Sequence, residues 1–233
     1  MLKPLAPSLL GLAILQTLSG VCMAQTAPSK DDSAYYIVTH RDFRKCAYPM
    51  CGGYFVKAVN KTKTQCADGS LQDECHVLEL NAKAIGWSDD DLAKFTGPFS
   101  QGYALVRGTL QQQPLNGLST DTLKLTEGWV GQAQHAPTGG FFGLQGNGLV
   151  CITYPCASIN ERKLNTSSKQ AIAGVDLAAS GAREDQLAQG NMALYNSGIL
   201  AAGKNKIITG PAGWGQQFTA SEFYLPVVVV KKP

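Results

Sequence analysis

Cysteines are the residues here whose types and spacing could do the most chemistry. Cys46 and Cys51 stand five positions apart in "KCAYPMCGGYFVKAVN", as do Cys151 and Cys156 in "VCITYPCASINERKLN". Cys66 and Cys75 close a third stretch, "CADGSLQDEC". Zinc would want reduced thiols in Cys-x-x-Cys pairs, and these gaps are longer. Thiol–disulfide exchange would want Cys-x-x-Cys beside a βαβ pattern, which the sequence lacks. Structural disulfides fit best. The simplest pairing joins neighbours: Cys46–Cys51, Cys66–Cys75 and Cys151–Cys156. Pro49 and Pro155 restrict the backbone inside two of these loops. Each small loop adds about 2 kcal/mol on the chain-entropy model. A staple between two strands fixes the register of the second, and its sulfurs are expected to be largely buried.

Other reactive groups do not assemble locally. The histidines are His40, His76 and His135, and no serine or cysteine signature accompanies them. No catalytic residue is therefore assigned. Asp89-Asp90-Asp91 could suggest calcium, but a calcium loop needs ligands at alternating positions and a closing acid. A helix start explains these acids better, with Ser88 as N-cap and Asp91 three residues on. No metal and no cofactor is expected. Asn60-Lys61-Thr62 and Asn165-Thr166-Ser167 fit the glycosylation pattern. Each asparagine lies nine positions after the second cysteine of its element, so a shared strand-end role accounts for both. "GKNKIITGPAGWGQQF", Gly203 to Phe218, reads as a long loop between the last two strands. Its Lys204, Lys206 and Trp214 form a candidate ligand-facing group, the indole able to stack a sugar ring or a peptide side chain. The plainer alternative is a hairpin loop with Trp214 packed down as a lid.

The elements that must position these residues begin after an export signal. Lys3, an apolar stretch from Leu9 to Val21 and the small residues Cys22 and Ala24 make residues 1–24 a secretory signal peptide, cut after Ala24. The apolar run is too short for a comfortable membrane span. A lipid on Cys22 is disfavoured, because Val21 stands where Gly or Ala would be expected. The remaining 209 residues hold six of the seven cysteines and a formal charge of +2, one below the whole chain's +3 because Lys3 is lost. Near-neutral charge without a basic run gives no reason to expect nucleic acid. No later stretch is long enough to cross a membrane, and "LPVVVVKKP" reads as a strand.

Residues 25–34 are a polar, disordered lead-in. "QAQHAPTGG", residues 132–140, reads as a linker between two β-rich domains, 35–131 and 141–233. In the first, "YYIVTHRDF", "YFVKAVN" and "HVLELN" are strands, "SDDDLAKFTG" starts a helix, and "YALVRGTL" and "TLKLTEGWVG" are strands. The second repeats that order with "GGFFGLQGNG", "CASINERKLN", "AIAGVDLA", a helix in "REDQLAQGNMALYNSG", then "ILAAGKNKII" and "FTASEFYLPV". Arg107-Gly108-Thr109-Leu110 faces Ser197-Gly198-Ile199-Leu200, and Thr126 to Val130 faces Ser221 to Leu225. Several matches in one order indicate an internal duplication. The expected fold is mostly β: two tandem OB-like barrels, each with one short helix, stapled by disulfides.

The elements "CAYPMCGGYFVKAVN", "QCADGS…CHVLELN", "VCITYPCASINERKLN" and "TASEFYLPV" resemble a family of exported bacterial domains of unknown function, over Tyr35 to Val228. That resemblance implies a bacterial envelope or secreted location and brings no activity. The expected function is a non-enzymatic exported module, periplasmic or secreted, that binds a protein or a glycan. The alternative is an inhibitor of a secreted hydrolase that presents "CAYPMC" or "CITYPC" as a rigid loop. Exposure of Tyr48, Met50 or Tyr154 would favour it. An enzyme with residues gathered from both halves ranks last.

Overall fold

Period-two burial builds the strands. In β1 (Ala34–Arg41) Tyr36 and Val38 face inward, and in β2 (Tyr54–Ala58) Val56 and Ala58 do. The computed structural model describes residues 32–96, 104–115, 117–133 and 135–227. The signal segment, most of the lead-in and residues 228–233 lie outside the described residues.

The first half continues with the two-residue strands β3 (Thr64–Gln65) and β4 (Leu71–Gln72), then β5 (Cys75–Val77) and β6 (Glu79–Asn81). Helix α1 (Asp89–Thr96) leads to the long strands β7 (Ala104–Leu115) and β8 (Leu118–Gly131). Ser88 and Asp91 cap α1 reciprocally: Ser88 Oγ accepts from the Asp91 N–H at 3.1 Å, and Asp91 Oδ2 accepts from the Ser88 N–H at 3.0 Å. The second half comprises β9 (Gly140–Gly146), β10 (Ile159–Lys163), β11 (Lys169–Ile172), β12 (Gly174–Asp176), helix α2 (Glu184–Asn196), β13 (Ile199–Gly210) and β14 (Gly213–Pro226).

The fold is mostly β and disulfide-stapled, but two separate closed barrels are not what forms. One largely antiparallel sheet of 12 strands runs through both halves, in the order β11-β10-β9-β13-β14-β8-β7-β1-β2-β5, with β12 on β14 and β6 on β8. The physical reason lies in β8 and β14. Each has 14 residues, and its second edge is covered within its own half only by a three-residue strand, β6 on β8 and β12 on β14. The open ends of those edges pair with each other, Tyr224 against Gly131 and Pro226 against Trp129. From Asp32 onward the chain forms one compact unit.

Within that sheet the pairings of the halves match. β1 lies between β2 and β7, as β9 lies between β10 and β13. β6 joins β8 in parallel, as β12 joins β14. Gly108 faces Ala34 just after a register shift in β7, and Gly203 faces Gly140 just after one in β13. A Cβ at either would strike a carbonyl of the facing strand, Lys124 or Thr219. The partner of Gly108 is therefore Gly203, which corrects the match to Gly198. Gly198 instead follows α2 with φ +81°.

The junction between the halves has its own apolar core, formed by Tyr35, Val59, Leu105, Leu164, Leu200, Ala202 and Tyr224. Two asparagines clasp it from opposite sides. Asn60, at φ 58°, gives its Nδ2 to the carbonyls of Phe141 (2.7 Å) and Leu164 (2.9 Å) and accepts from the Phe141 N–H (2.9 Å). Asn165, at φ 56°, gives its Nδ2 to Tyr35 (2.7 Å) and Val59 (3.0 Å) and accepts from the Tyr35 N–H (2.8 Å). Each side chain thus extends the first strand of the opposite half.

The connecting segment is tied down as well. The fully buried Glu222 carboxylate accepts the N–H groups of Gln132 (2.9 Å), Ala133 (2.9 Å), Phe223 (2.8 Å) and His135 (3.3 Å). Burial pushes this carboxyl up from its ordinary value, against the downward pull of those N–H groups. Gln186 of α2 donates to the Gln132 carbonyl at 2.7 Å, which docks the helix on the same segment.

Candidate binding surface at the stapled loops

The structure contains the disulfides Cys46–Cys51, Cys66–Cys75 and Cys151–Cys156. The first spans the link between β1 and β2, and the third spans the link between β9 and β10. Cys66 and Cys75 are buried, but Cys46 and Cys151 are exposed. The expectation that the sulfurs of the two loop staples are largely buried is thus corrected: these loops project, with Cys51 buried and Cys156 half-buried.

Asp42 anchors the first loop. Its carboxylate takes the Arg44 N–H (3.0 Å) and both guanidinium arms, Nε to Oδ1 at 2.9 Å and the second arm to Oδ2 at 2.8 Å. Those bonds hold the Asp42 carboxyl far below the usual carboxylate range. His76 Nε2 donates to the Gly52 carbonyl at 2.6 Å and sits 3.3 Å from Asp42 Oδ2. The loop therefore has a rigid base at both ends.

The second loop is held by Asn147, whose Nδ2 donates to the Ala157 carbonyl at 2.8 Å and whose Oδ1 accepts from the Leu149 N–H at 3.0 Å. Its far side rests on the β13–β14 turn, where the Ala212 N–H reaches the Tyr154 carbonyl at 2.9 Å. Pro155 lies against Gly215, where a Cβ would meet its ring at 2.9 Å. In the first half Pro49 and Met50 line a hollow together with Leu118 and Ser119, at the start of β8. Each stapled loop thus meets the tip of the long hairpin of its own half.

On these rigid bases stand large apolar side chains in solvent. Tyr48 is 67% exposed and Met50 58%; Val150 is 96% exposed, Ile152 fully, and Tyr154 about half. Phe43 and Leu149, close by in the chain, are exposed as well. Sequence reasoning named Tyr48, Met50 and Tyr154 and missed the rest. The available signal was a run of apolar residues, "GLVCI", inside a glycine-flanked loop.

The candidate loop at Gly203–Phe218 is not an open loop. It is the body of the β13–β14 hairpin, with a tight turn after Gly210. Lys206 pairs with Gln217 and Trp214 with Thr209, so alternation puts Lys204 and Lys206 on the opposite face from Trp214. Lys206 Nζ lies 3.8 Å from Asp176 Oδ2. Trp214 is exposed, not packed down, and shares its face with the exposed Ile207 beside the second stapled loop. His40 and His76 flank the Phe55 ring, at 4.6 and 5.2 Å between centroids, while His135 lies in the segment bound by Glu222.

These features define a disulfide-stapled, antiparallel β protein with two solvent-exposed loops on fixed bases. The chain belongs to the family described as a domain of unknown function, DUF6748, whose model matches residues 35–230. No curated protein and no solved structure matches it. Among the described residues no helix is long and apolar enough to cross a membrane. Disulfides persist in oxidising surroundings, so three of them indicate an extracytoplasmic environment.

Proposed function

We propose that this protein is an exported, non-enzymatic binding module whose contact surface is the pair of stapled loops. The observation that carries this reading is the exposure of Tyr48, Met50, Val150 and Ile152 on loops whose ends are fixed by disulfides and by Asp42 or Asn147. Contiguous apolar side chains held rigidly in water mark interaction sites, and a rigid loop loses little entropy on binding. The partner is a protein outside the cytoplasm. Cleavage after Ala24, a periplasmic or secreted destination and a bacterial source belong to the same proposal, supported by the N-terminal sequence and the disulfides. So does an OB-like duplication, supported by the matched pairings of the two halves.

A second reading, inhibition of a secreted hydrolase, is favoured by the exposure of Tyr48 and Met50 on a closed loop. One variant tests both. Substituting Tyr48, Met50, Val150 and Ile152 together by Ser should leave stability nearly unchanged, since exposed substitutions cost within about 0.5 kcal/mol each. A thermal-melting loss far above the roughly 2 kcal/mol this allows would mean that the patches are structural. In assays against secreted serine proteases, metalloproteases and glycosidases, the inhibitor reading expects stoichiometric inhibition of one class by the parent chain and none by the four-serine variant. Full activity of every enzyme with the parent chain present removes that reading.

A further inference from the structure

A cleft of about 670 Å³ opens at the junction, on the face of the sheet where the second half meets Tyr35, Glu127 and Trp129 of the first. We propose that this cleft binds an acidic saccharide, with Arg162 and Lys169 on its carboxylate and Trp129 against its ring.

Charge placement points to an anion. Arg162 on β10 and Lys169 on β11 are direct cross-strand partners, and both line the cleft. Like charges placed opposite one another destabilise a strand pair. Neither forms an ion pair among the described residues. The nearby acids are already engaged. Glu161 is buried, and its carboxylate accepts from Asn205 Nδ2 (3.0 Å to each oxygen) and from Gln170 Nε2 (2.6 Å). Glu127, on the far wall, holds Arg107 at 2.8 Å and the Trp129 indole N–H at 3.0 Å. A ligand carboxylate would relieve the opposed cations and could take the guanidinium fork side-on.

Shape and the remaining groups point to a sugar. Glu127 ties down the Trp129 N–H, so what the indole has left to offer is its apolar face. Aromatic faces with a few fixed polar groups suit ring-shaped polar ligands. Gln145 and Asn160 supply side-chain amides to the same cleft. The space itself comes from a missing side chain. Gly143 faces Leu200 and Arg162, where the first half has Ile37 facing Leu105 and Lys57. A Cβ at 143 would already touch the Arg162 guanidinium at 3.4 Å.

The test titrates the full exported chain with trigalacturonate and, in parallel, with maltotriose, by calorimetry. Saturable binding of trigalacturonate that weakens with salt is expected, with none for maltotriose. Lys169→Gln and Gly143→Val should each lower affinity roughly tenfold or more. Lys169→Gln should do so without lowering the unliganded melting temperature, because it removes a like-charge opposition; a merely structural lysine would lose both together. The four-serine loop variant should bind like the parent, which separates this site from the loops. Absence of trigalacturonate binding overturns the proposal. So does equal binding of maltotriose, or unchanged affinity in both Lys169→Gln and Gly143→Val.

Discussion

Substituting Ala for Asn60 or for Asn165 should cost about 3 kcal/mol each, because three hydrogen bonds go, and of the backbone groups they served only the Phe141 and Tyr35 carbonyls keep the further N–H donors Leu164 and Val59. Part of that cost is conformational: both residues sit at positive φ, where Ala pays roughly 1 kcal/mol. Gly at either site should recover that part and no more. The double Ala variant should lose about 6 kcal/mol, comparable with the whole stability of many domains, and so should fail to melt as one cooperative unit. Denaturant titration reads all of these. A loss below about 1 kcal/mol in either single Ala variant would show that the clasp does not hold the halves together.

Glu222→Ala is the second large effect. It takes this acceptor from the N–H groups of Ala133, His135 and Phe223 in a site from which water is excluded, leaves Gln132 only the Phe223 carbonyl at 2.9 Å, and opens a cavity where the carboxylate sat. A loss of about 3–5 kcal/mol is expected, which for a chain of this size is a fall in melting temperature of roughly 6–20 °C. The connecting segment should also become the first site of proteolytic cutting. The pH dependence has a definite sign. Burial raises the folded carboxyl above its unfolded value near 4.5, so its proton-linked stabilisation is complete below that pH and is lost as pH climbs through the folded value. Glu222→Gln should lack that slope in a series of melts across the acid range. A melting temperature for Glu222→Ala within about 2 °C of the parent would contradict the anchoring role.

Much of this was written locally in the sequence. The two Cys-x-x-x-x-Cys elements, the reciprocal cap at Ser88 and Asp91, and the order of strands about each helix all rest on neighbours in the chain. The asparagines nine residues beyond each staple were visible as equivalent positions. Their partners were not, because Asn60 bonds to Phe141 and Leu164, which stand 81 and 104 positions further along the chain. Glu222 was matched to Glu127 by position. Nothing in "TASEFYLPV" says that its carboxylate would accept from Gln132, Ala133 and His135. The pairing of β8 with β14 involves only three residue pairs at strand ends, too short to leave a periodic signal. That contact turns two expected barrels into one sheet. The Gly203–Phe218 stretch was misread for a related reason. Glycines and lysines suggested a loop, while cross-strand pairing along the whole hairpin made it strand. The opposition of Arg162 and Lys169 appears only once β10 and β11 are in register.

The central claim is that partners meet this protein at its stapled loops. A photo-reactive benzoyl-phenylalanine placed at position 48, at 152, or at the exposed Met192 of α2 tests it most directly, in the full chain made by its own cells. Cross-linking followed by mass spectrometry should give one discrete adduct, with the same protein, from positions 48 and 152, and none from 192. Adducts from 192 alone, or the same spread of products from all three positions, would contradict the account.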